Sequence, residues 1–202
     1  MNAAVVYVHG LWLSGHEAFL LGRRIEKERG FHWHAFNYAS TLLTMAEIGD
    51  ALNAFIGELD ASRVHLVGHS LGGLAILRCL QEHPQLPPGR VVFLGTPSLT
   101  SHAASTVGRF RFGRTLMGHA VTEELLYAHE RNWPHERELG IIAGNQPLGL
   151  ARLVVDFQEA NDGTVAVSET RLPGAKAHIV LPVSHTGMLL SARVAFETGQ
   201  FL

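Results

Sequence analysis

The sequence predicts an α/β protein built on a mostly parallel sheet of about six strands, with helices on both faces. Short apolar runs alternate along the chain with longer amphipathic runs, the order expected of strand–crossover–strand units. The apolar runs are nearly continuous and do not alternate with polar residues, as in strands covered on both sides. The segments that follow them read "VHGLW", "VGHSLGG", "LGTPS", "AGNQ" and "LPVSH". They are rich in Gly, Ser, Thr and His, and in open parallel sheets ligands bind at those carboxyl ends.

The strand candidates, in order, are Ala4–Val8, Phe31–Tyr38, Val64–Val67, Val91–Leu94, Gly140–Ala143 and Ala177–Leu181. Between and after them lie the helix-like runs Glu17–Arg29, Leu42–Leu59, Leu74–His83 and Met188–Thr198. "HPQLPPG", His83–Gly89, is a proline-rich helix stop and not a domain boundary. From Pro97 to Glu138 about forty residues pass without a strand pattern, too long for a structureless loop in a compact domain. An insertion with helices of its own is expected there, since Met117, Val121 and Leu125 recur at helical spacing.

Composition narrows the function classes. A chain of 202 residues suits one domain. A formal charge of −2 argues against a nucleic-acid partner. The single cysteine, Cys79, excludes an internal disulfide and falls in an apolar pattern, as a core residue. The amino end has no basic region or cleavage site of a signal peptide. No apolar run reaches membrane-span length, so no stable membrane insertion is expected. The expected location is cytoplasmic.

Gly68-His69-Ser70-Leu71-Gly72 matches the Gly-x-Ser-x-Gly nucleophile elbow, and it lies between a strand and a helix as that motif requires. A strand turning at once into a helix strains the central residue, and side chains at the flanking positions would collide with the adjoining elements. Ser70 is then held exposed, and the Leu71 amide at the helix start faces a developing oxyanion. A serine needs a base. Of thirteen histidines, His185 stands just after the last strand, in "PVSHTGML", where its ring can cross the top of the sheet. The base needs a carboxylate. Candidates are Asp156, Glu159, Asp162 and Glu169. Asp162, in the turn "ANDGTVAV", is favoured, with Asp156 in reserve. The loop "VHGLW" offers the Leu11 amide as second oxyanion donor, with Gly10 allowing close approach and His9 ordering the loop. His32 and His34 read as a strand surface; a zinc site would need further ligands. No metal or organic cofactor is expected.

Taken together, "HGLW", "GHSLGG", "LGTP", "NDGTV" and "SHTGML" resemble the α/β-hydrolase family, in particular its small bacterial lipases and esterases. The resemblance covers most of the chain, and the order Ser…Asp…His is the family's. It implies a reduced α/β-hydrolase fold lacking the family's first two antiparallel strands, with the strand from Phe31 at the edge beside the strand from Ala4. It implies a single domain over 1–202 with a cap insertion at about 99–137. That insertion holds Phe110 and Phe112 interleaved with Arg109, Arg111 and Arg114, either a lid that docks an acyl chain or an anionic head group or a solvated loop with two anchoring aromatics; Phe110, Phe112 and Trp12 are read as substrate-binding. The implied activity is cleavage of carboxylic esters, acyl or lipid-like ones among them, through Ser70, His185 and Asp162 and an acyl-enzyme. Thioesterase and acyltransferase activities use the same groups. A weakly catalytic small-molecule-binding protein of the same fold is the alternative from another class.

Overall fold

The structure, a computed structural model, describes residues 3–98, 132–133, 136–147 and 159–202. Six strands form one sheet: β1 (Ala3–Val8), β2 (His32–Phe36), β3 (Arg63–His69), β4 (Val91–Leu94), β5 (Leu139–Gly144) and β6 (Ala177–Leu181). Their order is β2-β1-β3-β4-β5-β6. Every neighbouring pair is parallel. β2 is thus an edge strand beside β1, as expected. The central strands are buried along nearly their whole length, which is why they read as continuous apolar runs. The edge strands β2 and β6 are mixed in burial.

The described helices are α1 (Phe19–Arg29), α2 (Met45–Gly57), α3 (Leu71–Glu82) and α4 (Ala192–Phe201). Side chains alternate across each strand. Val6, Val8, Leu66 and Phe93 therefore pack with Met45, Ile48 and Leu52 of α2 and Ile76 of α3. Val5, Tyr7, Val67, Val92 and Leu94 face the other way, onto Leu21 and Ile25 of α1 and Val194 of α4. The α2 start is set by a capping box. Thr44 accepts from the Glu47 amide at 3.3 Å, and the Thr44 amide donates to the Glu47 carboxylate at 2.8 Å.

Every described helix start differs from expectation: α1 begins at Phe19 after a 3₁₀ turn at His16–Ala18, and α2 begins at Met45. α3 begins at Leu71, not Leu74. The Leu-Gly-Gly stretch carries weak helix propensity, but it is buried, and tertiary contact decides. The run from Met188 is not one helix. A 3₁₀ turn, Gly187–Leu189, ends there, and α4 starts after Ser191, whose hydroxyl accepts from the Val194 amide at 3.3 Å.

The far end of the expected insertion is anchored in the core. Trp133 is buried edge-on to Phe93, with ring centroids 5.8 Å apart, and its indole N–H donates to the Arg137 carbonyl. The buried Arg137 guanidinium donates to the carbonyls of Val64 and Pro87. Phe110, Phe112, Met117, Val121, Leu125, Arg109, Arg111, Arg114 and Asp156 lie outside the described residues. Among the described residues no helix is long and apolar enough to cross a membrane.

Candidate active site

Ser70 sits between the last residue of β3 and the first of α3, with φ 54° and ψ −122°. A non-glycine residue there stores strain of about 1–3 kcal/mol, and such strain persists only where the surroundings impose it. Here they do. The Ser70 amide donates to the Leu94 carbonyl at 2.9 Å, and the Gly73 amide donates back to the Ser70 carbonyl at 3.1 Å. The two elbow glycines are sterically required. A Cβ on Gly68 would lie 2.5 Å from the Gly73 Cα, and one on Gly72 would overlap the Val8 carbonyl oxygen. Ser70 is left partly exposed among buried neighbours.

The expected acid and base are in contact. His185 Nδ1 lies 2.7 Å from Asp162 Oδ2. The turn Asn161–Ala166 aims the carboxylate. Asn161 Oδ1 accepts from the Gly163 amide, and Asp162 Oδ1 accepts from the amides of Thr164 at 2.9 Å and Val165 at 2.8 Å. Gly163 takes φ 98°, the left-handed conformation that suits glycine in this turn. With Oδ1 occupied by amides, Oδ2 is presented to the imidazole. A carboxylate only accepts, so Nδ1 carries the hydrogen and Nε2 of the neutral ring keeps its lone pair. The His185 amide also donates to the Asp162 carbonyl at 2.9 Å. Asp162 is 1% exposed, while the His185 side chain keeps 12%. That difference suits a shielded orienting group beside a ring that meets substrate.

Among the described residues Ser70 Oγ makes no hydrogen bond. Ser70 follows β3 and His185 follows β6, with β4 and β5 between those strands in the sheet, and Gly95, just after β4, meets the His185–Asp162 pair. A Cβ on Gly95 would sit 3.0 Å from Asp162 Oδ2 and 3.1 Å from His185 Nδ1. Such bonds are often long in sites without substrate and tighten when it binds.

The loop after β1 comes up against the elbow. A Cβ on Gly10 would stand 3.1 Å from the Ser70 Cβ. His9 Nε2 accepts from the Tyr38 amide at 3.2 Å, so its Nδ1 carries the hydrogen and donates to the Gly10 carbonyl at 2.8 Å. Tyr38 stacks on the His9 ring and donates its hydroxyl to the His9 carbonyl at 2.7 Å. Burial holds the His9 pKa below the usual histidine value, in keeping with a neutral ring. Trp12 takes φ 62° and is 65% exposed; its amide is held by Ser40 Oγ at 3.0 Å. Among the described residues the Leu11 amide has no partner. The Leu71 amide, in the first turn of α3, has none within the helix.

The alpha/beta hydrolase family model matches residues 5–189. The chain belongs to that family. The matched span takes in every group just described. No curated protein matches the chain in sequence. Among solved structures, the mature form of a Bacillus licheniformis lipase is similar at a TM-score of 0.75 and 21% identity, over 98% of this chain and 90% of that one. A metagenomic carboxyl esterase is similar at 0.71 and 18%, over 91% of this chain and 64% of that one. The thioesterase of the prodiginine pathway in Streptomyces coelicolor is similar at 0.65 and 14%, over 100% and 86%. At these identities the likeness shows the fold alone.

Several residues of this α/β hydrolase's site were not singled out from sequence. Ser40 and Tyr38 hold the β1 loop from β2's far end, and Gly95 admits the acid–base pair. In the sequence His69 stands only at the variable position of the Gly-x-Ser-x-Gly motif. Strand alternation carries the missing signal: His69 shares a face with His65 and Val67, so it must point under α1 and α4. Met188 had been read as a helix residue. Its methyl group packs beneath the pair, 3.2 Å from a Cβ built on Gly95.

Proposed function

We propose that this hydrolase cleaves carboxylic esters through an acyl-enzyme on Ser70, with His185 as base and Asp162 as its orienting carboxylate. The observation that carries the reading is a serine strained into positive φ between two sterically required glycines, at the same end of the sheet as a histidine whose Nδ1 is bound by a buried carboxylate.

In the proposed reaction His185 Nε2 takes the Ser70 proton as Oγ attacks the ester carbon. The amides of Leu11 and Leu71 donate to the tetrahedral oxyanion, where preorganised donors act most strongly. Asp162 stabilises the imidazolium without taking its proton. The intermediate collapses, the bond to the alkoxy oxygen breaks, and the proton on Nε2 goes to the leaving alcohol. Water then attacks the acyl-enzyme while Nε2 removes its proton. The second intermediate releases the carboxylic acid, and the proton returns to Ser70. Trp12, exposed beside the Leu11 amide, is a wall for the substrate. Phe110 and Phe112, in the expected cap, extend that wall in the proposal.

A fluorophosphonate probe with peptide mapping tests the reading directly. Covalent labelling is expected at Ser70, together with turnover of a short nitrophenyl ester. Labelling elsewhere, or none with active probe and folded protein, would sink it. Matched oxygen and sulfur esters of one acyl group rank ester against thioester cleavage.

A further inference from the structure

One buried side chain touches the nucleophile's strand, the base's loop and the loop after β1, and the reaction above gives it no role. His69 is 1% exposed. Its Nε2 lies 3.1 Å from the carbonyl oxygen of His185, across 116 residues of sequence. A carbonyl oxygen only accepts, so Nε2 must carry the ring hydrogen. Nδ1 is then a bare lone pair, buried and without a partner among the described residues. It looks onto the β1 loop, 3.3 Å from a Cβ built on Gly10. The two imidazole rings are 4.7 Å apart, tilted at 45°.

We infer that His69, as the neutral Nε2–H tautomer, is a positioning residue that fixes His185 by donating to its main-chain carbonyl. The His185 peptide is then held from both sides: its amide donates to the Asp162 carbonyl and its carbonyl accepts from His69. Two main-chain bonds and the Asp162 bond to Nδ1 define the ring's place. His185 stands in the loop after edge strand β6, so it lacks the support a helix or central strand would give. Burial drives the His69 pKa down to about 3, so the tautomer persists wherever the base itself is neutral. A cation at His69 would also oppose the imidazolium formed at His185 in each half-reaction.

This inference rests on the proposed ester-hydrolase reading, and amide replacements separate the two. Glutamine places its side-chain N–H where the histidine has Nε2. Asparagine places it at the Nδ1 position, short of the His185 carbonyl. His69→Gln is expected to keep kcat within about threefold, while His69→Asn loses on the order of a hundredfold in kcat with little change in KM, the cost of misplacing a catalytic group by about an ångström. The low-field proton resonance of His185 Nδ1–H supplies a readout independent of turnover. It is expected to persist in His69→Gln and to broaden into solvent exchange in His69→Asn. Equal kcat in the two folded variants, losses carried by KM, or an unchanged resonance in His69→Asn would overturn the inference. If the wild-type protein is not labelled at Ser70, the hydrolase reading fails, and the resonance alone decides whether His69 holds His185.

Discussion

At the scale of single residues, the site combines strain, steric necessity and one well-supported hydrogen bond. Ser70 is placed by its backbone, with no side-chain partner needed to hold it. Replacing it should therefore leave the fold intact. On the proposed mechanism Ser70→Ala loses hydrolysis on the order of a million-fold, as when a serine triad acts as one unit, with an unchanged thermal midpoint; near-normal kcat/KM in a clean preparation would remove Ser70 as nucleophile. Asp162 has two jobs that substitution separates. Its Oδ1 organises the Asn161–Ala166 turn, and its Oδ2 fixes the His185 tautomer. Asp162→Asn keeps an oxygen for the turn amides and turns an N–H toward Nδ1, which favours the wrong tautomer. Turnover should fall by about ten thousand-fold, while Asp156→Asn should change it little. The reverse ranking would move the acid to Asp156.

At the scale of elements, strands were more legible than helix ends. Apolar runs such as "VVFL" and "AHIVL" became β4 and β6 with unchanged limits, because the pattern that marks a doubly covered strand is also what stabilises it. Helix starts depend on groups that the apolar pattern does not report. Thr44 and Glu47 form a reciprocal cap, so α2 starts at Met45 and not at Leu42. Thr44→Ala should cost about 1 kcal/mol, seen as a lower urea midpoint with unchanged slope; no shift would mean that the cap adds nothing to packing. Within the site, Asp162 was readable because its turn has a local code, Asn-Asp-Gly. The role of His69 was not, because its partner is the main chain of a loop that folding alone brings near. The break before Ser191 was readable in principle, since serine is a good helix cap, but the apolar residues running through it masked the signal.

At the scale of the whole molecule, the fold class, the strand order at the β2 edge and the family were all open to sequence reasoning, because strand-end chemistry and strand order are coupled in a parallel sheet. The buried histidines add a property of the entire chain. Burial, reinforced by nearby arginines, lowers the His65 pKa to about 4, and burial lowers His69 to about 3. An unfolded histidine binds its proton near pH 6.5. Between those values the unfolded chain holds more protons than the folded one, so stability rises with pH and is lost as pH falls from about 6.5 toward 4. His65→Asn keeps an acceptor for the Arg90 amide, which His65 Nδ1 now supplies, and removes one titration. Unfolding free energy measured in urea at successive pH values should show a slope shallower by about one proton in that interval. Parallel slopes for the two proteins would contradict neutral burial of His65.

The placement of β6 has a consequence for how the molecule fails under stress. Ser70 hangs from β3, paired on both sides within the sheet, whereas His185 follows a strand paired on one side among the described residues. A cleft of about 230 Å³ between β5, β6 and α4 further thins the packing there. Regions with few buried contacts open at lower free energy than the core. The outer margin of the sheet should therefore exchange its amide hydrogens before the centre does. On the proposed mechanism each such opening withdraws the base while the nucleophile stays in place. In rising urea, esterase activity should be lost before the fluorescence of buried Trp133 changes, and deuterium uptake at Ala177–Leu181 should exceed that at Arg63–His69. Coincident loss of activity and fluorescence, with equal protection of both strands, would show that the two halves of the site share one cooperative unit.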